Sequence, residues 1–196
     1  MDPKSSVKQY PVTIFLAAAN VLVFLLLFLG GDPGNASYML SRGALYYPLV
    51  FSGEWWRLFS AMFLHFSAEH LISNMISLIA MGSIVEHAFG HARYAIVYLV
   101  SGLCAGIVSC LWFSHAGQAV VSAGASGAIF GLTGTILSLA LFNKTGQYGI
   151  DRRRVPLAVI LSVAVGIESG TDTAAHIGGL LAGFLISFLF SRKARP

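Results

Sequence analysis

The chain has 196 residues, of which 56% are hydrophobic and 10% charged, and its mean hydropathy is +0.76. Soluble domains carry about 25% charge, so this composition excludes an ordinary soluble protein and points to an integral membrane protein of one domain. The net charge of +4 does not signal a nucleic-acid surface, because the basic residues fall in the connections between apolar runs.

Residues 1–10 form a short polar arm carrying Lys4 and Lys8. Pro11 to Leu29 is an apolar run close to the ~20 residues that a spanning helix needs. It is too long for a signal peptide, and no clean small-residue cleavage site follows it, so it is read as an anchor. Gly30 to Glu54 is a long connection rich in Gly, Pro, Asn and Tyr, of the kind that is often functional or partly embedded. Glu54-Trp55-Trp56-Arg57 then sets two tryptophans beside a charge pair, as at a membrane interface.

Ser67 is a suitable N-cap for a second span from Ala68 to Val85. Tyr94 to Phe113 reads as a third span, Ser126 to Phe142 as a fourth, Val155 to Ile167 as a shorter fifth and Ala174 to Phe190 as a sixth. A basic tail, 192–196, closes the chain. The two cysteines, Cys104 and Cys110, lie in one apolar run and have neither a metal spacing nor a disulfide framework. They are read as free thiols packed like small apolar residues. No cofactor and no metal ion is expected.

Ten of the twelve Lys and Arg lie in the arm, at Arg93, between Asn143 and Arg154, and in the tail. The connection from Ser114 to Ala125 carries no charge. Six spans with this bias place both termini in the cytoplasm. The second, fourth and sixth spans then run inward, so His70, Ser126 and His176 share one depth just below the outer surface. Asn74 lies one turn below His70 on the same face. Polar side chains inside a membrane are costly, and their convergence is a functional signal.

Gly127, Gly131 and Gly134 stripe the fourth span, and Gly179 and Gly183 stripe the sixth on the face of His176. Small residues at such spacing let helices approach closely in lipid. A serine hydroxyl beside an imidazole is the pairing that nucleophilic acyl transfer requires. Ser126 therefore reads as a nucleophile and His176 as its base. The helix start at Ser126 adds free N–H groups for an oxyanion, with His70 and Asn74 as further donors. Asp172, four residues before His176, is read as an outer-loop residue rather than an orienting partner, so a dyad is the economical reading. Glu86, spaced at four residues from Gly82 and Gly90, is read as a buried structural hydrogen-bonding group. His65 is read as structural, and His87, His91 and His115 as interface residues.

Together these residues resemble the rhomboid intramembrane serine proteases. The matching elements are Trp56-Arg57, His65, His70-Leu71-Ile72-Ser73-Asn74, Gly82 to Glu86 to Gly90, Gly124-Ala125-Ser126-Gly127, and Ala175-His176-Ile177-Gly178-Gly179 with Gly183. The resemblance implies a six-helix bundle of the minimal bacterial type over residues 1–196. It also implies Ser126 and His176 as the catalytic dyad, and an oxyanion site made by His70, Asn74 and the Ser126 N–H. It places the Arg57 loop partly in the membrane and gives the fifth helix a gating role. Phe130 stands where some relatives carry tyrosine, and its ring is expected to pack on His176. Substrates would be single-span membrane proteins, cut in or near the membrane segment after a small residue, with membrane lipid as the other partner. The simple tails and the lack of a transit peptide point to a bacterial inner membrane. The rival readings are a catalytically silent relative that binds membrane clients, and a small transporter. A transporter would show internal repeats and polar groups through the full membrane depth. This chain has no such repeat, and its polar cluster is confined to the outer half.

Overall fold

The computed structural model describes residues 9–142, 155 and 171–193. Among these the architecture is all-α, and the nearest approach to a strand is an isolated antiparallel bridge between Leu45 and Ser122. The helices are α1 (Pro11–Gly30), α2 (Ala36–Ser41), α3 (Tyr47–Phe51), α4 (Arg57–Ser60), α5 (Ala68–Phe89), α6 (His91–His115), α7 (Ser126–Phe142) and α8 (Thr173–Lys193). A 3-10 turn, Ala61–Phe63, follows α4. The expected fifth span, Val155 to Ile167, lies outside the described residues except for Val155.

Four helices are long and apolar enough to cross a membrane: α1, α5, α6 and the Thr173–Phe190 part of α8. α7 is a shorter apolar helix of 17 residues. Their outward faces are apolar: Phe15 is 70% exposed and Leu29 82%, and Ile76, Leu111 and Leu185 are exposed as well. Such a surface suits lipid and not water, so the chain is a multi-pass integral membrane protein.

The helix ends have local causes. α1 opens on Pro11, whose fixed φ suits the first turn, but Tyr10 before it offers no side-chain cap. The cap comes from α5 instead: the Glu86 carboxylate accepts the N–H groups of Val12 and Thr13 at 3.0 and 2.9 Å and the Thr13 hydroxyl at 2.7 Å. α5 starts on Ser67, whose hydroxyl accepts the His70 N–H at 3.2 Å. It runs past the expected end at Val85 as far as Phe89, because Glu86 is satisfied inside the bundle. Gly90, at φ +74, closes it with an N–H bond to the Glu86 carbonyl and lets α6 begin at once on His91. A left-handed φ of this kind suits glycine.

α8 packs most extensively on α7 and next on α6, while α5 lies against α1 and α7. The α7–α8 contact is backbone against backbone. A Cβ built on Gly179 would collide with the Gly127 carbonyl, one on Gly183 with the Gly131 carbonyl, and one on Gly134 with the Leu180 carbonyl. Thr135 ties the same seam, sharing its hydroxyl between the carbonyls of Gly131 at 3.0 Å and Gly183 at 3.1 Å. The larger apolar core, with Leu78, Val85, Tyr94, Tyr98 and Leu132 at its centre, fills the space among α1, α5, α6 and α7.

A methyl group at Gly179 has no side chain to displace, only a carbonyl of the partner helix. Gly179→Ala is therefore expected to cost about 1–3 kcal/mol, as overpacking does. Its midpoint for unfolding in mild detergent should fall by several degrees, and an unchanged midpoint would contradict the contact.

Candidate active site

Ser126 is the first residue of α7, and what precedes it sets its position. Gly124 has φ +141, a conformation that side-chain-bearing residues rarely adopt. A Cβ there would lie 2.9 Å from Cε1 of His70. The Gly124 N–H is held by the Ala61 carbonyl at 2.9 Å, which ties this turn to the 3-10 segment. Ser126 is half-buried, and the first N–H groups of its helix have no acceptor within the helix.

His176 lies in the first turn of α8 and is 5% exposed. Its Nε2 is 3.0 Å from Ser126 Oγ. Its ring stacks on Phe130, one turn into α7, with centroids 4.2 Å apart and planes 10° from parallel. Nδ1 is buried with no hydrogen-bond partner among the described residues. Asp172 does not reach it. That carboxylate accepts the Ala175 N–H at 2.9 Å and the hydroxyls of Ser109 and Ser122 at 2.5 and 2.8 Å. Asp172 lies just before α8 with its carboxylate engaged by three donors, and nothing in the sequence singled out its two serine partners.

His70 and Asn74 line the same cavity, of about 750 Å³, together with Gly124, Ser126, Phe130 and His176. Asn74 is buried and donates its side-chain amide to the His70 carbonyl at 3.1 Å. His65 is fully buried behind them, its ring edge-on to His70 with centroids 5.0 Å apart. The site therefore gathers a hydroxyl, an imidazole against it, and polar groups around one cavity.

The supporting residues lie on either side. Arg57 is buried and bonds Glu54 at 2.7 Å and the carbonyls of Leu40 and Ala44 at 2.8 and 2.9 Å. It thereby pins the connection after α1, while Trp55 and Trp56 stay exposed at 60% and 53%. Glu86, at the far end of α5, is 2% exposed. His91, read from the sequence as an interface residue without special meaning, places Nδ1 2.7 Å from the Glu86 carboxylate.

A family model described as the Rhomboid domain matches residues 52–193. The chain belongs to the rhomboid family. Among its relatives, Rhomboid protease GluP of Bacillus subtilis (strain 168) is 34% identical over 173 residues, 88% of this chain and 33% of that protein. RHOMBOID-like protein 5 of Arabidopsis thaliana is 42% identical over 149 residues, 75% of this chain and 48% of that one. Rhomboid protease AarA of Providencia stuartii is 29% identical over 202 residues, 91% of this chain and 72% of that one. The chain thus spans between 33% and 48% of the first two relatives. The match to the rhomboid domain takes in every residue of the cavity wall named above.

One rhomboid histidine has a consequence for stability. Burial, with the neighbouring His70, lowers the pKa of His65 from 6.5 to about 3. The folded protein keeps it neutral while the unfolded chain protonates below 6.5, so its contribution is whole above that pH and is lost as the pH falls towards 3. The slope is about 1.4 kcal/mol per pH unit. Unfolding in detergent at pH 7 and pH 5 should show a loss of about 2 kcal/mol, and His65→Gln should flatten that loss. Equal slopes for the two proteins would count against the neutral buried imidazole.

Proposed function

We propose that this rhomboid is an intramembrane serine endopeptidase that cleaves single-span membrane proteins in or near the membrane segment. The observation that carries the reading is the 3.0 Å approach of His176 Nε2 to Ser126 Oγ. In this reading Ser126 Oγ attacks the scissile carbonyl carbon while His176 takes its proton. The oxyanion is met by the Ser126 N–H at the start of α7 and by the side chains of His70 and Asn74. On collapse the C–N bond breaks, His176 returns the proton to the leaving amine, and an acyl ester remains on Ser126. Water, deprotonated by His176, then releases the acid and restores the hydroxyl. With Nδ1 unpartnered among the described residues, the imidazole is held by stacking on Phe130 and by its own helix.

The finer architecture belongs to the same proposal: six spans, both termini in the cytoplasm, and a bacterial inner membrane. The charge bias of the connections and the apolar outer faces support it. The names of two relatives, Rhomboid protease GluP and Rhomboid protease AarA, support the protease reading.

The test is cleavage of a tagged single-span protein in liposomes by the wild type, Ser126→Ala and His176→Ala. Both substitutions are expected to reduce the rate by about 10³-fold or more, as removal of a nucleophile or its base does. Cleavage that survives Ser126→Ala would remove the assigned nucleophile. A wild type that binds such proteins but cuts none of them would favour a catalytically silent client-binding relative.

A further inference from the structure

The Asp172 carboxylate does not touch His176 Nδ1. It nevertheless joins three separate parts of the chain. Oδ1 accepts the N–H of Ala175, the residue immediately before His176, and so caps α8. Oδ2 accepts two hydroxyls, from Ser109 near the end of α6 and from Ser122 in the connection before α7. Ser109 is buried. Ser122 is itself paired through its backbone with Leu45, by bonds of 2.8 and 2.9 Å. Two residues further on, the Gly124 N–H holds the Ala61 carbonyl and the chain turns into Ser126.

We propose that Asp172 is the positioning residue for the dyad, locking the first turn of α8 to α6 and to the connection that carries Ser126, so that His176 is held at bonding distance from the hydroxyl. The proposal rests on the reading of Ser126 and His176 as nucleophile and base. Its physical basis is that the two partners come from different helices joined by a long stretch of chain. The glycine seam fixes how closely α7 and α8 approach but leaves the rotation of the first turn of α8 to other contacts. A misplacement of about 1 Å at a reacting pair costs on the order of 10²-fold in rate. The residue type fits the task. Three donors converge on one side chain, and an ionised carboxylate is the group that only accepts. Asparagine would still cap the helix through its carbonyl, but its amide would face two hydroxyls already turned towards it.

That difference separates a positioning role from a plain helix cap. The test compares Asp172→Asn, Asp172→Ala and the double variant Ser109→Ala/Ser122→Ala with the wild type, in detergent and in liposomes. Four quantities are read for each: kcat and KM on a single-span substrate, the rate at which a fluorophosphonate labels Ser126, and the unfolding midpoint. Labelling needs the activated hydroxyl but no protein substrate. Asp172→Asn should keep its midpoint near that of the wild type, while kcat and labelling fall together by about tenfold and KM stays within about twofold. The double serine variant should show the same pattern, and Asp172→Ala a deeper loss. Wild-type kcat and labelling in Asp172→Asn would reduce the residue to a helix cap and overturn the proposal. So would a loss in Asp172→Ala that merely follows the fraction unfolded. A wild type that neither cleaves nor labels would remove the protease reading, and this proposal with it.

Discussion

The contact on which the rest depends is the approach of α7 and α8 at their backbones. Lipid tails are as apolar as leucine, so helices in a bilayer gain little from burying hydrophobic surface against one another. Close packing must supply the attraction. Here Gly134, Gly179 and Gly183 leave out the side chains that would strike a carbonyl of the partner helix, and Thr135 adds a hydroxyl shared between carbonyls of the two helices. The seam begins in the same turns that carry Ser126 and His176. Ser126 and His176, fifty residues apart, thus lie at the mouth of one closely packed seam, with no ion pair between them and no third side chain on Nδ1 among the described residues.

Away from that seam, the buried carboxylate Glu86, the carboxylate Asp172 and the buried guanidinium Arg57 each meet several partners. A carboxylate in such a place is tolerable only when its oxygens are occupied. Glu86 and Asp172 solve the problem in the same way at opposite ends of the bundle. Each caps a helix and each reaches a second helix: Glu86 caps α1 from α5, and Asp172 caps its own α8 and reaches α6. Arg57 is the cationic counterpart, spreading its charge over Glu54 and two carbonyls of the connection after α1.

Much of this was legible in the residues, and the reasons are specific. Apolar length located the helices, and Gly124-Ala125-Ser126-Gly127 gave the start of α7 because a flexible turn before an apolar run has few other readings. Small residues at four-residue spacing indicated which two helices touch. Three kinds of feature were not legible. α2 and α3 are too short for any periodicity to register, and they owe their place to Arg57 and to their own turns. The end of α5 was set too early because the apolar run stops at Val85, although Glu86 already read as a buried hydrogen-bonding group and is taken into the bundle. The partners of Glu86 and Asp172 were hidden for a common reason. His91 lies beyond a break at Gly90, and Ser109 and Ser122 lie on other elements, so helical spacing within one segment says nothing about them.

The cap on α1 carries a consequence for how the protein is made. Glu86 stands 73 residues after Thr13, so the first helix leaves the ribosome with its opening amides unpaired and no local side chain to take them. Those groups must be satisfied by headgroup water until α5 has been inserted, because an unpaired amide in hydrocarbon costs several kcal/mol. This helix is therefore complete only once α5 lies beside it. Its opening turn is closed by a residue translated well after it.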